Sequence, residues 1–358
     1  MNKVRRVEQT PRRKRRGPVD HIVILDGTMS ELTPGRETNA GLTYRLLSEM
    51  APCAGLSLRY EAGIQWRSWS ATRDVIEGRG INRQIQRAYG ALASRYRPGD
   101  RIFLFGYSRG AYAVRSLAGV IDRVGLVRPE HATVRTIEQA YRHYRYSPNS
   151  DTAEAFRRLH CHDDEVRIEV IGVWDTVKAL GLRAPVVWRY TEPAHDFHGH
   201  DLTRVTRNGF HALATDETRD AYAPVLWTTP PDFDGRLEQM WFPGTHGDVG
   251  GQIEDVAAAR PLANVSLRWM LGRAEECGLT LPHRWERRFP ADPDAPSIGT
   301  MHGWGKCFIA RHPRVIGADP SEVMHPAARR PARSRRPIRD RLFGPVEPEL
   351  PGPPSAAS

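Results

Sequence analysis

Residues 101–112 read Arg101-Ile-Phe-Leu-Phe-Gly-Tyr-Ser-Arg-Gly-Ala-Tyr112. The apolar run Ile102 to Phe105 leads into Gly106-Tyr107-Ser108-Arg109-Gly110, and a helical pattern opened by small residues follows. An unbroken apolar run of strand length suits a parallel strand covered on both faces. Strand, Gly-x-Ser-x-Gly and helix in that order make a nucleophile elbow, a sharp turn that pushes a serine hydroxyl outward. Glycines two residues to either side let strand and helix pass closely, so Gly106 and Gly110 are the elbow residues and Ser108 the candidate nucleophile. The Arg109 amide then faces a developing oxyanion. Gly-x-Ser-x-Gly alone is a common pattern, and its place between strand and helix is what gives it weight.

Outward from the elbow, strand and helix alternate. His21–Leu25 reads as a buried strand ending in Asp26-Gly27-Thr28, and Ser57–Tyr60 as a short strand. Val166–Val173 is a strand ending in Trp174-Asp175, and Gln239–Phe242 one ending in Pro243-Gly-Thr-His246. Apolar spacing predicts helices over Thr38–Met50, Ile81–Tyr96, Ala111–Val124, within 130–160, near 203–216 and over Leu262–Cys277. The pattern predicts an α/β-hydrolase-like fold, a mainly parallel sheet with helices on both faces. The first strand already carries an active-site turn, so the usual N-terminal hairpin of that fold is absent from this reading. Parallel sheets gather their sites at the carboxyl ends of the strands, which is where the polar turns fall.

A serine hydroxyl needs a base, and the base needs an orienting acid. His246 follows a strand and sits among glycines that allow close approach. Asp175, at the end of its strand, is the favoured acid, and the order Ser108, Asp175, His246 is that of the α/β-hydrolases. Asp248 and Asp216 are secondary candidates, the first read as shaping the His246 loop or binding an ion, the second as pairing with Arg219 or capping a helix end. Asp26, Gly27 and Thr28 form a turn whose amides are placed to supply the second oxyanion donor, although Asp26 could equally cap the turn. His195, His198 and His200 read as surface histidines, so neither metal nor cofactor is expected. Trp66, Trp69 and Ala184–Trp188 read as a lid, an acyl-binding wall or ordinary core.

The net charge of +10 in 358 residues is concentrated at the ends. Residues 1–17 carry +7 and residues 329–341 carry +6, which leaves −3 on the rest. Composition therefore divides the chain into a disordered basic tail (1–19), a hydrolase domain (20–315) with insertions near 126–165 and 180–236, and an Arg/Pro-rich disordered tail (316–358). The tails read first as solvated, solubilising ends and second as a contact for an anionic membrane surface or nucleic acid, with no specific nucleic-acid partner expected. Four scattered cysteines without a CxxC motif fit a reducing compartment. With no signal peptide and no apolar run long enough to span a bilayer, the expected location is cytoplasmic, with non-classical export left open.

Together, Leu25-Asp-Gly-Thr28 with Thr38-Asn39, Tyr96-x-Pro98-Gly-Asp100 running into the elbow, Gly172-Val-Trp-Asp-Thr-Val177, His211-Ala-Leu-Ala-x-Asp-Glu217 and Phe242-Pro-Gly-x-His-x-Asp-Val-Gly-Gly251 resemble an uncharacterised hydrolase-domain family. Its best-known members are type VI secretion phospholipase effectors of the type 1 class. The resemblance runs over roughly residues 20–310 and implies a Ser108–Asp175–His246 triad acting on glycerophospholipids. Gly247 stands where the family often has Ser, and Gln252 where a third Gly is common. The chain is expected to lack the effectors' large membrane-anchoring region, as a stand-alone housekeeping or orphan esterase would. The expected function is ester hydrolysis through an acyl-enzyme, on a phospholipid or other lipid ester. The rivals are a soluble carboxylesterase or thioesterase, or a non-catalytic fold whose tails bind anionic membrane or nucleic acid.

Overall fold

In the computed structural model, which describes residues 16–51, 55–63, 79–177, 202–301 and 310–329, strands and helices alternate along the chain. The strands are β1 (Asp20–Leu25), β2 (Leu56–Glu61), β3 (Arg101–Tyr107), β4 (Ile168–Trp174), β5 (Thr206–Ala214), β6 (Arg236–Phe242) and β7 (Glu322–Met324). They form one seven-stranded sheet in the order β2-β1-β3-β4-β5-β6-β7. Every pairing is parallel. The chain moves outward from β1 to β2, then recrosses to β3 and continues the other way. The crevice between the carboxyl ends of β1 and β3 is thus the topological switch point, the place where such sheets hold their ligands.

Strand alternation separates two apolar layers. Val23, Leu25, Ile102, Leu104, Ile171 and Val173 pack against α2 (Arg79–Ala93), α3 (Arg109–Val124), α4 (Val134–Tyr146) and α5 (Asp151–His160). Ile22, Ile24, Phe103, Phe105, Val170 and Phe210 face the opposite way, toward α1 (Asn39–Ser48) and α7 (Arg260–Glu276). Two helices start on threonine caps, the Thr38 and Thr133 hydroxyls each accepting an N–H of the first turn. No helix among the described residues is long and apolar enough to cross a membrane.

Three elements differ from the sequence reading. The segment 203–216 is not a helix: Thr206–Ala214 is the interior strand β5, so His211 is a buried strand residue. Its run Phe210–Ala214, His211 included, is buried on both sides, so no alternation reveals its period. β5 also puts a core strand inside the 180–236 region read as an insertion. A seventh strand, β7, lies beyond residue 315 and pairs with β6. His246 opens a five-residue helix, α6 (His246–Gly250), rather than lying in a loop. The basic stretches 1–15 and 330–358, Trp66, Trp69, Ala184–Trp188, His195, His198, His200, Cys53 and Cys307 lie outside the described residues.

Asp26 ties the end of β1 to its neighbours. Its carboxylate accepts from the Gly27 amide at 2.7 Å, the Thr38 hydroxyl at 2.7 Å and the Tyr60 hydroxyl at 2.8 Å. It is fully buried, and desolvation outweighs these donors, raising its pKa from 3.8 to about 6. A carboxyl raised by folding favours the native state while protonated, and that advantage is lost as pH climbs from the unfolded to the folded value. Asp26→Asn should therefore gain about 3 kcal/mol on the wild type between about pH 4 and about pH 7. Urea unfolding of both proteins at the two pH values measures this, and parallel pH dependences would refute it.

Candidate active site

The elbow is built by backbone contact. A Cβ on Gly106 would sit 2.7 Å from the Ala111 Cα, and one on Gly110 would sit 2.5 Å from the Asp26 carbonyl oxygen and closer still to that of Leu25. Only hydrogen fits at either position, because the start of α3 rests directly on the end of β1. Between them Ser108 takes φ 56°, ψ −120°, a conformation that costs a non-glycine residue about 1–3 kcal/mol. Its N–H donates to the Trp174 carbonyl at 2.9 Å, locking the turn to β4. The hydroxyl projects at the switch point, and Ser108 is 7% exposed.

Asp175 follows β4 with φ 41° and no exposure. The structure brings it together with the other two residues singled out from sequence. His246 Nδ1 lies 2.5 Å from Asp175 Oδ2, and His246 Nε2 lies 2.9 Å from Ser108 Oγ. A carboxylate on Nδ1 fixes the proton there, leaving Nε2 bare to accept from the serine hydroxyl. The imidazole is held between two rings, Tyr107 at 4.9 Å and Tyr222 at 4.7 Å. Its backbone N–H donates to Glu217 at 3.2 Å, and Glu217 is itself clasped by Arg219.

Asp248 and Asp216 stand elsewhere. Asp248 accepts from the Thr245 N–H and hydroxyl, the Ser297 hydroxyl and the Ile298 N–H, so its oxygens hold the His246 loop to residues 297–298. Asp216 accepts from the Gly244 N–H and the Thr215 hydroxyl, stapling the turns after β5 and β6. The carboxylate on Arg219 is Glu217. In the Asp26–Thr28 turn, the Gly27 amide is taken by Asp26. Thr28 differs: its Oγ1 is buried without a partner among the described residues. The turn flanks the serine closely, since a Cβ on Gly27 would lie 3.4 Å from the Ser108 Cβ.

Sequence reasoning missed three contributors. Gln252 accepts from the Tyr107 hydroxyl at 3.2 Å and donates to the Thr28 carbonyl at 3.1 Å, joining the His246 loop to the turn beside the serine. Tyr222 covers the imidazole. Arg314 donates through Nη1 to Asp175 Oδ1 at 2.6 Å and through Nη2 to Oδ2 at 2.8 Å. Burial pushes the Asp175 carboxyl up, but Arg314 and then His246 outweigh it and hold it well below the usual carboxylate range. Of the three, only Gln252 had a sequence signal, as a departure from the family pattern. Gly247, the other departure, faces Ile298, whose Cδ1 would lie 2.5 Å from an added Cβ.

Residues 20–273 match the family model described as "T6SS, Phospholipase effector Tle1-like, catalytic domain". A curated relative, "Uncharacterized protein YEL023C" of Saccharomyces cerevisiae, is 28% identical over 233 residues, covering 59% of this chain and 33% of its own. The chain thus spans about a third of that relative's length. An uncharacterized protein from Pseudomonas aeruginosa superposes with TM-score 0.42 at 16% identity, covering 78% of this chain and 50% of its own. The Tle1 effector, solved bound to the VgrG spike from the Type 6 secretion system, gives TM-score 0.40 at 16% identity over 78% of this chain and 77% of its own.

The elbow contacts predict that Gly110→Ala is not tolerated. It should destabilise the protein by more than about 3 kcal/mol, a cost typical of forced backbone overlap, whereas Gly272→Ala, with nothing near the added methyl, should fold normally. Soluble yield and thermal melting of the two variants compare them directly.

Proposed function

The chain belongs to the T6SS Tle1-like phospholipase effector catalytic-domain family, and on that premise we propose that it is a serine hydrolase cleaving lipid ester bonds through an acyl-enzyme. The observation that carries this reading is the continuous line Ser108 Oγ–His246 Nε2 and His246 Nδ1–Asp175 Oδ2 at the switch point of the sheet.

His246 takes the Ser108 proton as Oγ attacks the ester carbonyl. The negative charge moves to the former carbonyl oxygen, which the Arg109 amide at the start of α3 and the Thr28 amide then stabilise. The imidazolium passes its proton to the leaving alcohol and the acyl-serine remains. A water, deprotonated by the same imidazole, releases the acid and restores Ser108. Asp175 holds the required tautomer throughout. The reaction as drawn uses only the chain's own groups and water. A phospholipid substrate follows from the family, and the basic stretches 1–17 and 329–341 would add attraction to anionic headgroups that weakens with salt.

Ser108→Ala should lower kcat/KM on phospholipid liposomes by about 10³-fold or more and abolish fluorophosphonate labelling, with melting unchanged. Undiminished labelling of that variant would sink the serine assignment. Turnover of p-nitrophenyl acetate with none on liposomes would move the substrate to small soluble esters. Asp175→Asn should cost about 10⁴-fold in kcat by imposing the wrong tautomer, while Asp248→Asn should mainly lower stability. The reverse ranking would transfer the acid's role to Asp248.

A further inference from the structure

Asp175 is enclosed, and its oxygens are fully subscribed. Oδ1 accepts from the Ala214 N–H at 3.1 Å and from Arg314 Nη1, and Oδ2 meets His246 Nδ1 and Arg314 Nη2. The guanidinium is itself fixed, donating to the Ala214 carbonyl at 2.9 Å and the Tyr222 carbonyl at 2.6 Å, with its side chain 4% exposed. The segment that carries it is pinned alongside residues 218–220. The His312 N–H donates to the Thr218 carbonyl at 2.8 Å, the Asp220 N–H to the Ala310 carbonyl at 3.1 Å, and His312 Nδ1 lies 2.8 Å from Asp220 Oδ1. Arg314 and the segment that carries it, residues 310–314, lie beyond the residues 20–273 that match the family.

We propose that Arg314 is a positioning residue for the reaction inferred above, a buried counter-charge that orients Asp175 and keeps His246 available as a base. The proposal rests on that reading of Asp175 and His246 as acid and base. With Arg314 present, the base-competent state of the cluster, carboxylate plus guanidinium plus neutral imidazole, carries no net charge. Protonating the imidazole leaves a net positive charge out of water, which is unfavourable. Without Arg314 the balance reverses, because the competent state is a lone buried anion and protonation neutralises it. The two-point fork also sets the carboxylate plane, which a single ammonium cannot do.

Among the other ionisable groups facing the pair, His211 also feels the Arg314 charge, as the least of the influences on it. Tyr107 on β3 and Tyr222 flank the imidazole, and Glu217 is paired with Arg219. His211 on β5, which feels the Asp175 charge, is pushed down to about 3, first by burial and then by Arg115.

The experiment compares wild type, Arg314→Met and Arg314→Lys in the full chain. In Arg314→Met the acidic limb of the kcat/KM profile should move to higher pH by about one unit or more, roughly a tenfold loss on that limb. Arg314→Lys should keep the limb near the wild-type position and lower the plateau kcat, separating charge from orientation. A folded Arg314→Met whose limb does not move overturns the proposal. Should that variant not fold, Arg314→Lys decides: a held limb with reduced kcat supports the fork, and wild-type values of both overturn it. Titration of the His246 ring by NMR gives the same comparison without turnover. A chain inert toward every ester and probe would overturn the hydrolase reading, while an unmoved ring titration would overturn this one.

Discussion

The site depends on the backbone-on-backbone contact between the end of β1 and the start of α3. Gly110 lies against the Leu25 and Asp26 carbonyls, with no side chain between them. That closeness forces the turn at Ser108 into positive φ and aims its hydroxyl at the crevice where the strand order reverses. It also sets the Asp26–Thr28 turn beside the serine. The strain at Ser108 persists because β4 holds its N–H, α3 begins at the next residue and β1 closes the other side.

Packing backbone this tightly leaves little water at the strand ends, so the charges there must be matched locally. Asp175 is matched by Arg314, and Glu217 by Arg219, each through two nitrogens. Asp26 receives hydroxyls and an amide instead of a cation, and it alone of these three has its pKa raised. The contrast shows what the cations do. Neutral donors satisfy the lone pairs of a buried carboxylate without cancelling its charge, and desolvation still wins. A guanidinium at about 3 Å does both, at an interaction strength that water would screen many-fold.

Sequence legibility followed the range of the signal. β1, β3 and β4 are continuous apolar runs with polar turns after them, and Ser108, Asp175 and His246 all sit at strand ends, so local pattern was enough to nominate them. β5 was misread because Phe210–Ala214, His211 included, is buried on every side and shows neither the helical nor the strand period. β7 is three residues long and joins the sheet only by pairing with β6, about 80 residues earlier in the chain. Arg314 lies in Ala310-Arg-His-Pro-Arg314, close to a stretch so rich in arginine that composition cannot single out one of them. Its role exists only once residues 218–222 and 310–314 are side by side.

The position of Arg314 bears on where the folded unit around Asp175 ends. The residues that match the family contain Ser108, Asp175 and His246 and stop at residue 273. They do not contain Arg314, the cation paired with the buried Asp175. A boundary drawn at the end of the family match would therefore retain Ser108, Asp175 and His246 and leave a carboxylate without its cation in the interior. Such a cluster would relax by taking up a proton, the one change that removes the base. In this fold, the segment that balances the charge belongs to the site as much as the strands that present its side chains.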